Sequence, residues 1–238
     1  MITNAPKIAV PWPPLVAAKL VKRYKRFLAD VVMSDGETMT VFTPNTGSML
    51  DCSQPGRTVY LSESSNPKRK HRFSWEMIDM PDGLVGVNTL LPNKLVRLAA
   101  EAGRIAGLPS SPRVRSEVKV GRCRLDLKLE TEKEEIWLEV KNCTLVRDGA
   151  ALFPDAVTQR GARHLEELAD LVGPGRRAAI LVLVQRSGAE YFAPADFIDP
   201  VWGQALRRAR DRKVEIYAYA ADLSLHEVAW GRSLEVAL

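Results

Sequence analysis

Cys123-Arg124-Leu125-Asp126-Leu127-Lys128-Leu129 and Ile136-Trp137-Leu138-Glu139-Val140-Lys141 are two extended stretches joined by the charged run Glu130 to Glu135, which reads as a hairpin tip. Successive strand side chains point to opposite faces, so Glu139 and Lys141 share one face while Val140 enters the opposite core, and the hairpin sets Asp126 beside them. Upstream, Val114 to Val120 adds a third strand across the tight Gly121-Arg122 turn. Before it, Pro92 to Ala106 places Leu95, Leu98, Ala99, Ala102 and Ile105 on one helical face, with Pro92 near the first turn and Gly107 at the C-cap position. Downstream lie a helix over Ala156 to Val172, the strand Ala178 to Gln185, apolar up to Val184, a helix near Pro200 to Arg212 and the strand Val214 to Ala220. The order helix, three strands, helix, strand, helix, strand predicts a mixed sheet between helices over residues 84–238.

Residues 1–83 have another texture. Strands are expected at about Leu20 to Met33, Thr38 to Thr43, Thr58 to Ser62, Phe73 to Ile78 and Leu84 to Val87, with Ser34-Asp35-Gly36 as a turn. Five short strands predict a small OB-like barrel, which makes the chain an α+β protein of two domains, 1–83 and 84–238. This part carries 11 Lys and Arg against 8 Asp and Glu, clustered at Lys22, Arg23, Lys25, Arg26 and at Lys68, Arg69, Lys70, Arg72. Tyr24, Phe27, Tyr60, Phe73 and Trp75 supply aromatic faces on which bases could stack. The same residues also suit a barrel whose aromatics are core and whose cations are solvated surface.

The 238 residues are 46% hydrophobic and 26% charged with a net charge of +5, an ordinary globular composition that excludes collagen and a disordered chain. Cys52, Cys123 and Cys143 are scattered, and with only His71, His164 and His226 there is no zinc spacing and no disulfide framework. Ile8 to Ala18 is interrupted by Pro11, Pro13 and Pro14, so neither a membrane span nor a signal peptide is read, and the expected location is the reduced cytoplasm.

Two carboxylates and a lysine at one end of a sheet can hold a divalent metal through oxygen, and the metal can activate water and stabilise a phosphate transition state. The pattern acid-any-Lys occurs four times, but only Glu139-Val140-Lys141 closes an apolar strand with a hairpin acid, Asp126, upstream and Glu117 on the strand before that; the same local pattern also suits a surface salt bridge on strand ends. Gln159, Arg163 and Glu167 project from one polar face of the following helix, which either touches a phosphate or is ordinary surface. His164, beside the core-facing Leu165, reads as a helix residue with a local hydrogen bond rather than a general base.

Several longer runs carry a resemblance: Arg23 to Val31, Pro44-Asn45-Thr46-Gly47-Ser48-Met49, Ser116-Glu117-Val118, Glu139-Val140-Lys141, Phe153-Pro154-Asp155-Ala156-Val157-Thr158, Arg160-Gly161 and His164-Leu165. Together they resemble the sugar fermentation stimulation protein family over nearly the whole chain. The resemblance implies an OB-like domain joined to a restriction-endonuclease-like domain, DNA binding, and a regulatory role in sugar metabolism. It also implies Asp126 and Glu139 as metal carboxylates, Lys141 as the catalytic lysine and Glu117 as an additional acid, with Mg²⁺ as the metal and Mn²⁺ as a substitute. The proline that often precedes the first acid is replaced by Leu125.

The expected function is therefore largely sequence-nonspecific DNA binding through phosphate contacts, since no helix-turn-helix signature is present. An active Mg²⁺-dependent nuclease is the first alternative, and a protein-interaction or small-ligand regulator the second. RNA in place of DNA, and a homodimer in place of a monomer, are both compatible with the sequence.

Overall fold

The computed structural model describes residues 6–121 and 123–238. Prolines lack the amide hydrogen a ladder needs, so β1 (Ala9–Pro11) is short, and it pairs antiparallel with the far end of the chain, Ala9 opposite Ala229. The next six strands are β2 (Leu15–Tyr24), β3 (Leu28–Val32), β4 (Thr38–Phe42), β5 (Thr58–Glu63), β6 (Phe73–Met80) and β7 (Gly83–Gly86). They form one sheet in the order β4-β3-β2-β5-β6-β7, curled so that Phe42 of β4 also meets Ser74 of β6. This is the expected barrel. The stretch read as one strand from Leu20 to Met33 is instead a hairpin, because Lys25 and Arg26 adopt φ of 48° and 64° and reverse the chain.

Trp75 and Phe73, read as base-stacking candidates, lie in the barrel core with Leu20, Val31, Val59 and Leu61. Tyr60 packs toward the core of the larger sheet, and Phe27 alone of the five is largely exposed, at 45%. The expected boundary also moves: β1 belongs to the larger sheet, and the barrel runs on to Gly86.

The rest of the chain forms α1 (Leu91–Glu101), β8 (Arg113–Val120), β9 (Cys123–Glu130), β10 (Glu135–Cys143), β11 (Leu145–Arg147), β12 (Ala150–Phe153) and α2 (Gln159–Leu171). Then come β13 (Arg176–Val184), β14 (Tyr191–Pro194), α3 (Pro200–Asp211), β15 (Glu215–Leu223), β16 (Glu227–Ser233) and β17 (Glu235–Val236). Seven strands build a mixed sheet in the order β1-β16-β15-β13-β10-β9-β8, with β10, β13 and β15 mutually parallel at its centre. From Ala178 to Val184 β13 is covered on both faces, which is why that run is apolar. Leu95, Val96 and Ala99 of α1 pack on one face against Leu127, Leu138 and Leu181. Leu165 and Leu168 of α2 and Leu206 of α3 cover the other, against Leu125, Ile180 and Val182. A small second sheet, β11-β12-β14-β17, was not foreseen; strands of two to four residues are too short to display an alternation. No helix among the described residues is long and apolar enough to cross a membrane.

Barrel and sheet are tied by Arg186, which donates to both oxygens of Asp82 at 2.7 and 3.1 Å, and by Gln185, whose side-chain amide donates to the carbonyls of Gly86 and Asn88. The two helices on the second face are fixed by one buried acid. Asp199 caps α3 by accepting from the Trp202 amide at 3.0 Å, and its other oxygen accepts from the Thr158 amide, just before α2, at 2.8 Å. Asp199→Ala is expected to lose both bonds and about 1–3 kcal/mol of stability, read as a lower denaturation midpoint in urea; an unchanged midpoint would refute this role.

Candidate active site

β9 and β10 stay paired up to Leu127 opposite Leu138. There the ladder ends, and the Asp126 side chain takes the place of its backbone: Oδ2 accepts from the Val140 amide at 2.9 Å. The other carboxylate oxygen accepts from the Asn93 side chain, at the start of α1, at 2.8 Å. On β10 the side-chain alternation puts Glu139 and Lys141 together, and Lys141 Nζ donates to Glu139 Oε1 at 2.6 Å. His164 reaches the same oxygen from α2 through Nδ1. Arg160 Nε donates to His164 Nε2 at 3.3 Å, which leaves Nδ1 to carry the hydrogen toward Glu139. Glu139 is 3% exposed, yet its Oε2 has no hydrogen-bond partner among the described residues.

The two carboxylates are driven in opposite directions. Burial, then the charge of Glu139, pushes Asp126 up to about 6, against the opposing pull of the Val140 amide, Lys141 and Asn93. For Glu139 burial also acts upward, but the hydrogen bond from His164 and the charge of Lys141 outweigh it and hold the group below the ordinary carboxylate value.

These groups lie along a cleft of about 850 Å³. One side is the end of β10 with Pro92 and Asn93, a second is the segment Phe153 to Gly161, and the third is the barrel, through Arg26 and Asn45 to Ser48. The barrel wall is internally braced. Arg23 donates to the carbonyls of Arg26, Asn45, Gly47 and Ser48 at 2.7–3.1 Å. Asp155 then ties this wall to the second one, accepting from Ser48 Oγ at 3.0 Å and from the Met49 amide at 2.9 Å, while Ser48 Oγ also donates to the Asp155 carbonyl at 2.6 Å.

Asp126, Glu139 and Lys141 are thus brought together as the spacing suggested, and Arg26 and Gln159 line the same cleft. Glu117 is not part of it. It stands level with Asp126, between the pairs Ser116–Leu127 and Val118–Leu125, but its φ of 54° takes it out of the strand pleat. It is exposed, with Arg124 as its ion-pair partner at 3.7 Å. Arg23 faces the cleft with its guanidinium committed to four carbonyls, so it shapes the wall rather than presenting a free cation. Arg163 is exposed outside the cleft lining.

The remaining cations also lie away from the cleft lining. Lys22 pairs with Asp30 at 3.7 Å, and Lys25 is exposed at the tip of the β2–β3 hairpin. Between β5 and β6, Arg69 donates to Ser74 and stacks on Phe42, Arg72 pairs with Glu63, and Lys68 and Lys70 are exposed.

Four contributors escaped the sequence reading: Asn93, Asp155, Arg160 and the long-range role of His164. Their signal was present but unassigned. The runs Pro44 to Met49 and Phe153 to Thr158, prominent in the resemblance, are the two walls that face each other across the cleft.

Residues 21–87 match the N-terminal OB domain of the sugar fermentation stimulation proteins, and residues 90–227 match their RE domain. The chain belongs to the sugar fermentation stimulation protein family. Within the family, the homolog of Pelobacter propionicus is 48% identical over 227 residues, covering 95% of this chain and 99% of its own. The homolog of Shewanella loihica is 47% identical over 216 residues, 89% of this chain and 92% of its own. The solved structure of Pyrococcus furiosus SfsA in complex with Ca²⁺ superposes with a TM-score of 0.89 at 27% identity, over 98% of this chain and all of that one.

Proposed function

We propose that this protein binds DNA in the cleft between barrel and mixed sheet and hydrolyses its phosphodiester bonds, using a divalent metal ion held by Asp126 and Glu139. The observation that carries the reading is Glu139: a buried, ionised carboxylate with one oxygen shared by Lys141 and His164 and the other without a partner. An anionic oxygen kept out of water with no partner is costly unless a cation completes it.

The donor set suits Mg²⁺. Among the described residues no group of three or more His, Cys, Asp or Glu is placed to hold a metal, and two carboxylates completed by water and substrate phosphate oxygens are what Mg²⁺ commonly accepts. Mn²⁺ shares that oxygen preference. The family member from Pyrococcus furiosus, solved with Ca²⁺, is consistent with such a site. When bound, the ion would supply an acidified water and an electrostatic clamp on the scissile phosphate. The chain itself contributes Lys141, whose ammonium lies beside the carboxylates to orient water and balance charge developing on phosphate. His164 and Arg160 fix the rotamer of Glu139.

Proton and metal compete at Asp126. Because its carboxyl titrates near 6, metal affinity is expected to be nearly constant above pH 7 and to fall about tenfold per unit below 6. Calorimetric Mn²⁺ titrations at several pH values test this, and an affinity flat from pH 5 to 7.5 would remove Asp126 from the ligand set. The function itself is tested with supercoiled plasmid and single-stranded oligonucleotide in Mg²⁺ and in Mn²⁺. Metal-dependent nicking supports hydrolysis; a salt-sensitive gel shift without cleavage in either metal leaves a DNA-binding protein on a nuclease scaffold.

A further inference from the structure

We infer that the nucleic acid is also held outside the cleft, along a basic surface formed by the exposed side of α1 and the β8–β9 edge of the mixed sheet, with Lys94, Arg97, Lys119 and Arg124 as its phosphate contacts. The inference rests on the nucleic-acid reading above and adds where the partner's backbone runs.

The chain's positive charge is concentrated in this part. Residues 91–124 carry eight Lys and Arg against two Glu, net +6, so with the whole chain at +5 all the other residues together carry −1. Arg122 lies outside the described residues, and the other seven cations are all exposed. Three of them have carboxylate partners: Arg97 with Glu101 at 2.8 Å, Arg115 with Glu130 at 3.8 Å and Arg124 with Glu117 at 3.7 Å. Lys94, Arg104, Arg113 and Lys119 make no ion pair among the described residues. A surface of one sign raises the local potential and attracts a polyanion.

Folding gathers four of these cations on one side of the sheet. Val118, Val120 and Leu125 pack on the side covered by α2 and α3, so Lys119 and Arg124, which alternate with them, take the side of α1. The left-handed Glu117 makes this possible. Val114 packs on the α1 side, and unbroken alternation from it would have sent Lys119 to the other one. Lys119 and Arg124 stand directly opposite each other across the ladder, a like-charge pairing that is unfavourable in the free protein and becomes favourable once phosphates lie over it. On α1, Lys94 and Arg97 are neighbours three residues apart, and Arg97 reaches across to β8, donating to Ser116 Oγ at 3.2 Å.

This surface is continuous with the candidate active site. Asn93, immediately before Lys94, lines the cleft and bonds Asp126, and Asp126 itself lies between the β8–β9 pairs Ser116–Leu127 and Val118–Leu125. A backbone with one phosphate at the Asp126 end of the cleft can therefore continue onto α1 and β8. That continuity favours a nucleic acid over an acidic protein as the occupant.

Fluorescence anisotropy with the full chain and a labelled DNA, at constant Ca²⁺ and over a series of NaCl concentrations, tests this. Lys94→Gln, Arg97→Gln, Lys119→Gln and Arg124→Gln combined should weaken binding at least about tenfold and make the dependence of log Kd on log salt shallower by about 3, since each phosphate contact contributes roughly 0.7–0.9. Lys68→Gln with Lys70→Gln, two exposed cations of the barrel, should change affinity less than about twofold. Should the combined variant fold poorly, Lys94→Gln with Lys119→Gln breaks no ion pair and should still make the slope shallower by about 1.5. A folded variant with unchanged affinity and slope, while the parent protein binds DNA, would overturn this surface, leave the cleft reading standing and turn the search toward an acidic protein partner. A parent protein that binds no DNA would defeat the surface and the nucleic-acid reading together.

Discussion

Glu139→Gln is expected to lower metal-dependent cleavage at least about 100-fold, in the range seen when one preorganised electrostatic contact to a reaction centre is removed. The change is nearly isosteric, so Lys141 and His164 still have an oxygen to bond, but the negative charge that a cation would meet is gone. Two accompanying readouts separate chemistry from disruption. Mn²⁺ affinity should fall with activity, and Asp126, relieved of the neighbouring charge that helps to raise it, should titrate lower, seen by carboxyl NMR. Lys141→Ala should behave differently. Its ammonium bonds Glu139 Oε1 at 2.6 Å, so its loss should cost cleavage while leaving DNA affinity nearly intact. A Glu139→Gln protein cleaving at the parental rate would end the assignment.

The largest stability effect is expected from Trp202→Ala, about 3–5 kcal/mol, as for other large aromatic truncations in a closed core. Trp202 is 0% exposed in the first turn of α3. It meets Phe153 edge-on, with ring centroids 4.9 Å apart, and a Cβ on Gly161 of α2 would stand only 3.0 Å from its Cδ1. One indole thus supports the cleft wall and the start of the helix that carries His164, and its removal should weaken DNA binding as well as folding. Its Nε1 has no hydrogen-bond partner among the described residues. Trp202→Phe therefore gives up no bond and is expected to cost less than about 1.5 kcal/mol. Urea denaturation of the two variants decides: a loss below about 1 kcal/mol for Trp202→Ala would show that the site collapses around the void.

What was legible in the sequence follows from the reach of periodicity. The alternation in β9 and β10 gave the hairpin, and the hairpin gave Asp126 beside Glu139 and Lys141, because all three lie within one local unit whose register is fixed by pairing. The apolar run of β13 gave a strand buried on both sides. The same rule misled at Glu117, where a single left-handed residue breaks the alternation, and at Leu20 to Met33, where two such residues make a turn from side chains that carry no turn signature.

By itself, then, the sequence determined the two-domain architecture, the mixed sheet and the acid-acid-lysine core of the site. Only the tertiary structure decided what surrounds that core. His164 lies 25 residues from Glu139, and Ser48 lies 107 from Asp155. Periodicity tells which side of an element a residue takes, but not which distant element packs against that side. That choice is made by the packing of α2 on the sheet and of the barrel on the loop after β12. Those packings turned a helix histidine into a brace for Glu139, left the β5–β6 cations outside the site, and set the barrel wall beside the end of β10.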